Sequence, residues 1–236
     1  MLFLHGIGGN RRSWDTQVES FSREFTAAAW DARGYGDSED YEGPLDFHSF
    51  SADLLRVLDF LKVQTAHLVG LSMGGRIARN FGLAHPERVK SLVLANTSPG
   101  FAALPAERVA AFLEERRQLD PPLQAKRLLG PDAHPRAYER LVAALVAVHR
   151  ESYLKTVEAS VTQDRAAPLE RIAVPTLVIG SRDDPLYPID IARAMATRIP
   201  DARLEELPGG HVSNLEQPER FDRAVLEFLK TSERTS

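Results

Sequence analysis

Short apolar runs alternate with longer amphipathic stretches along most of the chain. This is the pattern of a parallel sheet wrapped by helices. The strand candidates are Leu2–Leu4, Thr26–Trp30, Ala66–Gly70, Ser91–Ala95, Pro175–Gly180 and Arg203–Leu207. Several are almost wholly apolar, as expected of strands buried on both faces. Phe50, Leu54, Val57, Leu58 and Leu61 recur at helical spacing and predict a helix over Phe47–Leu61. Met73–Ala84, Ile189–Arg198 and Pro218–Lys230 read as further helices.

From Pro99 to Pro168 the alternation stops. No strand pattern occurs there. The segment reads as helices around Pro105–Gln118, Pro122–Leu129, Pro135–His149 and Ser152–Thr162, punctuated by Pro121, Pro122, Pro131 and Pro135. A helical insertion between two strands looks like a lid. The expected organisation is a core of residues 1–98 and 169–236, with a cap over 99–168. The tail from Thr231 to Ser236 is polar and is expected to fray.

Composition narrows the chemistry. The chain has 236 residues, 43% hydrophobic and 26% charged, which suits one domain with an inserted subdomain. Its net charge is −4 and no basic block stands out, so nucleic acid is not an expected partner. There is no cysteine, which excludes disulfides, thiolate metal sites and a cysteine nucleophile, and fits a reducing, cytoplasmic compartment. The first apolar run is too short for a signal peptide, and no stretch is apolar enough to span a bilayer.

The first chemical signal is Gly70-Leu71-Ser72-Met73-Gly74, placed between an apolar strand and a helical stretch. A turn that tight needs small residues beside the serine, and Gly70, Gly74 and Gly75 supply them. The hydroxyl then stands exposed above the sheet at a helix N-terminus, where a developing anion is favoured. An N-capping serine in a glycine-rich turn is the plainer alternative. The strand before and the helix after favour a nucleophile.

A serine hydroxyl needs a base. His48, His85, His134 and His149 lie on helical stretches or their edges, His67 lies inside a strand, and His5 belongs to a glycine loop. His211 is different. It sits in Pro208-Gly209-Gly210-His211, a loop after the last strand from which an imidazole can reach the serine. The acid that orients it should fall between serine and histidine, and either Asp183 or Asp184 serves. The oxyanion needs two backbone N–H groups. Met73 follows the nucleophile and supplies one. The loop His5-Gly6-Ile7-Gly8-Gly9 supplies the other, with Ile7 the expected donor. A phosphate-binding reading of that loop lacks both G-x-x-x-x-G-K-[ST] and G-x-G-x-x-G.

Four motifs now stand in order. They are His5–Gly9 with Trp14 downstream, Asp31-Ala32-Arg33-Gly34-Tyr35-Gly36-Asp37-Ser38, Gly70–Gly75, and Gly210-His211 running into Asn214-Leu215-Glu216-Gln217-Pro218-Glu219. Together they resemble the α/β-hydrolase-fold enzymes, and they span almost the whole chain. The resemblance implies an α/β fold, with a mostly parallel sheet flanked by helices and a helical cap after the sixth family strand. It also selects the acid. The family aspartate stands four residues before a proline that opens the next helix, as Asp184 stands before Pro188. The Asp31–Ser38 segment is expected to shape a loop near the site. Within the family, GLSMGG with HVSNLEQPE is similar to 3-oxoadipate enol-lactonases and related small esterases and lactonases, including acyl-homoserine-lactone hydrolases.

The resemblance therefore implies a small-molecule ester or lactone substrate, catalysis by Ser72, His211 and Asp184, and no metal or organic cofactor. Haloalkane dehalogenases and epoxide hydrolases of the family use an aspartate nucleophile, which Ser72 disfavours. C–C bond hydrolases, thioesterases, acyltransferases and cofactor-free haloperoxidases share the triad. Ligand receptors share the fold. Family members usually carry two strands ahead of the one that ends in the His-Gly loop, whereas this chain begins inside that later strand. Thr26–Trp30 is then expected at the sheet edge, with a stability deficit or homodimerisation through that edge.

Overall fold

The computed structural model describes residues 1–101 and 105–232. The end of the polar tail expected to fray, residues 233–236, lies outside them, as do residues 102–104 of the cap. Among the described residues, six strands form one sheet: β1 (Leu2–Leu4), β2 (Ala28–Ala29), β3 (Ala66–Leu71), β4 (Val89–Ala95), β5 (Thr176–Ser181) and β6 (Ala202–Leu207). Their order is β2-β1-β3-β4-β5-β6 and every pair is parallel. β3 and β5 are buried at every residue, which is why they read as unbroken apolar runs. β6, at one edge, alternates half-buried and exposed positions until Leu207. β2, at the other edge, is shorter than the expected Thr26–Trp30. Ala28 N–H bonds the Met1 carbonyl, and just beyond the strand Trp30 N–H still bonds the Phe3 carbonyl.

Alternation along the strands sends side chains to two cores. Leu2, Leu4, Leu68, Leu92, Leu94 and Val178 pack on one face with α2 (Ser49–Phe60), α3 (Met73–Ala84) and α8 (Ile189–Arg198). Phe3, Val69, Leu71, Val93, Leu177 and Ile179 pack on the other, against α1 (Asp15–Phe21) and α10 (Pro218–Ser232). Helix α1 was not expected. Its two turns are too brief to show a helical period, but they bury Gln17 and Phe21. A further short helix, α9 (Ser213–Glu216), precedes α10.

The cap holds α4 (Ala106–Arg117), α5 (Pro121–Leu128), α6 (Pro135–Val146) and α7 (Arg150–Thr162). Pro121 and Pro135 open α5 and α6, where a missing N–H does no harm. The expected helix over Pro135–His149 ends earlier, at Val146, and His149 instead precedes α7. The chain leaves and re-enters the core side by side. Phe101 N–H bonds the Asp164 carbonyl at 2.9 Å and Ala167 N–H bonds the Pro99 carbonyl at 2.7 Å. Leu128, Leu141 and Leu145 from α5 and α6 join the second core, so the cap is packed down on the sheet. No helix among the described residues is long and apolar enough to cross a membrane.

Candidate active site

The register of the sheet places the chemistry. Leu4 pairs with Gly70, Leu71 with Ala95, Ala95 with Ile179 and Ser181 with Leu207. The residues just beyond these pairs therefore gather along one edge: the His5–Gly9 loop, Ser72, Asn96, Asp184 and the loop to His211. Strand order reverses between β1 and β3, the switch point at which parallel sheets open a crevice.

Ser72 occupies the turn from β3 into α3 with φ 56° and ψ −115°. This is the left-handed region, which a side chain adopts only under constraint. The constraint comes from every side. Ser72 N–H bonds the Ala95 carbonyl at 2.9 Å, and its own carbonyl accepts from Thr97 Oγ1 at 2.7 Å. A methyl on Gly70 would run into the Gly74 carbonyl, and one on Gly74 into the Leu4 carbonyl. Only glycine permits that approach.

His211 and Asp184 meet directly. His211 Nδ1 lies 2.9 Å from Asp184 Oδ2 and 3.1 Å from Oδ1, and both residues are buried. The other Asp184 contacts come from the Leu186 and Tyr187 N–H groups, at 2.8 and 3.1 Å, and from Asn96 Nδ2 at 3.0 Å. Burial by itself would raise the Asp184 pKa. Hydrogen bonds from His211, Asn96 and Tyr187 outweigh it and hold the carboxyl below its ordinary value. Asp183, the other candidate, is exposed and offers its backbone N–H to the Gly209 carbonyl. The Tyr187 ring lies 5.6 Å from that of His211.

Asn96 escaped the reading of the sequence. It sits at the end of β4 with φ 44°. Its amide nitrogen donates to Ser181 Oγ and Asp184, and its oxygen accepts from Ser213 Oγ at 2.6 Å. The one available signal was an asparagine directly after a buried apolar strand. Asparagine tolerates a left-handed backbone there.

Ser72, His211 and Ile7 line one cavity, walled also by Trp14, Leu71, Leu128, Leu141, Val212 and Leu215. Met73 follows Ser72 as the first residue of α3 and is fully buried. The cavity measures about 40 Å³.

His5 takes no part as a base. Its Nε2 accepts from the Ala32 N–H at 3.1 Å, so its Nδ1 carries the proton toward the Gly6 carbonyl at 2.8 Å. Burial holds its pKa below the ordinary value, which keeps it neutral. It joins the glycine loop to the Asp31–Ser38 segment. Asp31 ties the same segment to the turn after the glycine loop, accepting from the Arg11 backbone N–H at 2.7 Å and pairing with the Arg11 guanidinium. That segment shapes the loop beside the site, as its sequence suggested.

The pattern of the α/β hydrolase fold matches residues 1–218, and the chain belongs to that family. It is a hydrolase of the α/β fold. It is 30% identical to 3-oxoadipate enol-lactonase 2 of Acinetobacter baylyi over 98% of this chain and 88% of that enzyme. It is 33% identical to the 2-hydroxy-6-oxononadienedioate/2-hydroxy-6-oxononatrienedioate hydrolase of Burkholderia vietnamiensis, over 98% of this chain and 86% of that one. Among solved structures, a thermophilic esterase from Thermogutta terrifontis superposes with a TM-score of 0.88 at 27% identity, covering 98% of this chain and 89% of that one.

Proposed function

We propose that the chain cleaves a carboxylic ester or lactone through an acyl-enzyme on Ser72. The observation that carries this reading is the buried His211–Asp184 pair at 2.9 Å, opening on the cavity that Ser72 lines. In this mechanism Ser72 Oγ attacks the ester carbonyl while His211 Nε2 takes its proton. Asp184 holds Nδ1–H and stabilises the imidazolium. The Ile7 and Met73 N–H groups stabilise the oxyanion of the tetrahedral intermediate. His211 returns the proton to the departing alkoxide, which leaves as the alcohol. Water, deprotonated by the same imidazole, then adds to the acyl group, and collapse releases the acid and free Ser72. In a lactone the alcohol stays tethered to the product.

The lactonase and esterase relatives support this chemistry. The cavity wall supports an uncharged acyl group, since it combines aliphatic side chains with neutral polar ones around His211. The small volume means that Leu141 of the cap must give way when substrate enters. The dioate hydrolase relative supports a second reading, hydrolysis of a carbon–carbon bond on the same residues.

The test is hydrolysis of short p-nitrophenyl esters, a lactone panel and a vinylogous 1,5-diketone by the wild type and Ser72→Ala. Ester or lactone turnover that falls by about 10⁴-fold or more in the variant supports the proposal. Turnover confined to the diketone favours the second reading. Equal activity of the two proteins overturns both.

A further inference from the structure

The sequence motif around His211 contains a buried carboxylate that the mechanism does not use. Glu216, at the end of α9, accepts the Gly130 N–H at 2.7 Å and the Gly210 N–H at 3.0 Å. Gly130 lies in the cap, just past α5. Gly210 precedes His211. A second bond crosses the same junction, from His211 N–H to the Leu128 carbonyl at 2.7 Å. The backbones are in such close approach that a methyl on Gly130 would stand 2.8 Å from Gly209 Cα and Gly210 N. A methyl on Gly210 would meet the Leu128 carbonyl. The end of α5 and the histidine loop are thus one hydrogen-bonded unit, and Glu216 holds both halves.

We propose that Glu216 is a positioning residue that makes the end of cap helix α5 part of the support for His211. The inference rests on the Ser72–His211 reading above. Asp184 fixes the imidazole from its Nδ1 side, but it cannot fix the backbone from which the ring hangs. Two backbone N–H groups on one buried carboxylate do that, because charge-assisted bonds are short and hold their geometry. A corollary concerns the lid. The cap is anchored at α5, so movement that admits substrate belongs to the Leu141 side, on α6.

The experiment compares wild type, Glu216→Gln, Glu216→Ala, Gly130→Ala and the Glu216→Ala/Gly130→Ala pair. The readouts are kcat and KM on a p-nitrophenyl ester and the thermal midpoint. A displacement of about 1 Å at a catalytic group lowers rate by up to ~10²-fold. Glu216→Ala is expected to lower kcat by about 10- to 100-fold, with KM within about threefold of wild type. Glu216→Gln keeps one acceptor oxygen and is expected to recover most of the rate. Gly130→Ala, made in the cap, is expected to lower kcat in the same way. The double variant should fall little below the single ones, because both break one junction. Folded Glu216→Ala and Gly130→Ala proteins with wild-type kcat overturn the inference. So does a kcat loss in which Gln is no better than Ala, or one in which the pair adds fully. Ser72→Ala in the same assay separates the two claims. If it stays active, the triad reading fails first.

Discussion

Asp184 and Asp164 are both buried carboxylates, and they are held in opposite ways. Asp184 accepts from two backbone N–H groups, an amide and an imidazole. Asp164 accepts from Arg76 Nη1 at 3.0 Å, Arg79 Nη2 at 2.6 Å and Asn80 Nδ2 at 3.1 Å. The arginines lie one and two turns past Ser72 on α3. They also bond the carbonyls of Ser160 and Ser98, on the two chain segments that enter and leave the cap. Arginine is always charged, so it holds Asp164 as a fixed ion pair. Histidine is not, and the Asp184 cluster can pass a proton through a fixed frame. The difference teaches that burial of a carboxylate does not mark a catalytic group. The partner decides whether it acts as a lock or as an orienter.

Substitutions should separate the two roles. Asp184→Asn keeps an oxygen for the Leu186 and Tyr187 N–H groups but turns the imidazole to the wrong tautomer. It should lower kcat by about 10³- to 10⁴-fold. Its urea midpoint should report a loss of no more than about 1 kcal/mol. Asp164→Ala should do the reverse. It leaves two arginines buried without a counter-charge, a loss of about 3–5 kcal/mol by denaturant titration. The protein that remains folded should keep its KM and most of its kcat. If Asp164→Ala abolishes turnover in folded protein, or Asp184→Asn unfolds it, the division of roles is wrong.

A third buried polar group has neither kind of partner. His67, in β3, contacts Ser91 Oγ at 2.8 Å. Burial, with the N-terminal ammonium and Lys90 nearby, lowers its pKa to about 4. Unfolding releases it to its ordinary value near 6.5. Between those values the unfolded chain binds a proton that the native one refuses. Stability present above pH 6.5 is therefore lost as pH falls toward 4, by up to about 3 kcal/mol. His67→Asn should flatten the curve of stability against pH over that window. An unchanged slope would assign the acid loss elsewhere. The smallest effect belongs to the cap. Leu141→Ala should lower stability by about 2 kcal/mol and shift ester preference toward longer acyl chains. A chain-length profile identical to wild type would mean that α6 does not bound the acyl pocket.

The same contrast explains what could be read from the sequence. The turn at Ser72 is legible because its constraint is local: strand, glycine, serine, glycine and helix follow one another without a gap. The family resemblance, through the aspartate's spacing to a proline, selects Asp184 over Asp183, and in the fold Asp184 is the buried member of the two. The strands of the sheet centre were legible because burial on both faces leaves them continuously apolar. The edge strand β2 was overestimated, since an apolar stretch there need not be paired along its length. What the sequence hid depends on register. Asn96 faces Asp184 only because β4 pairs with β5 as it does. Glu216 matters because Gly130, eighty-six positions away, folds against it. Arg76 and Arg79 carry no local signal of burial, yet both are buried, bonded to the Ser160 and Ser98 carbonyls. Helix α1 is too short for any period to emerge.

The central claim is that Ser72 is a nucleophile activated by His211. It is tested most directly by treating the folded protein with a fluorophosphonate ester and mapping the adduct by peptide mass spectrometry. The account predicts one equivalent of label on Ser72, none in Ser72→Ala, and labelling slowed by orders of magnitude in His211→Ala. Label on another residue, or equal labelling of the wild type and His211→Ala, would contradict it.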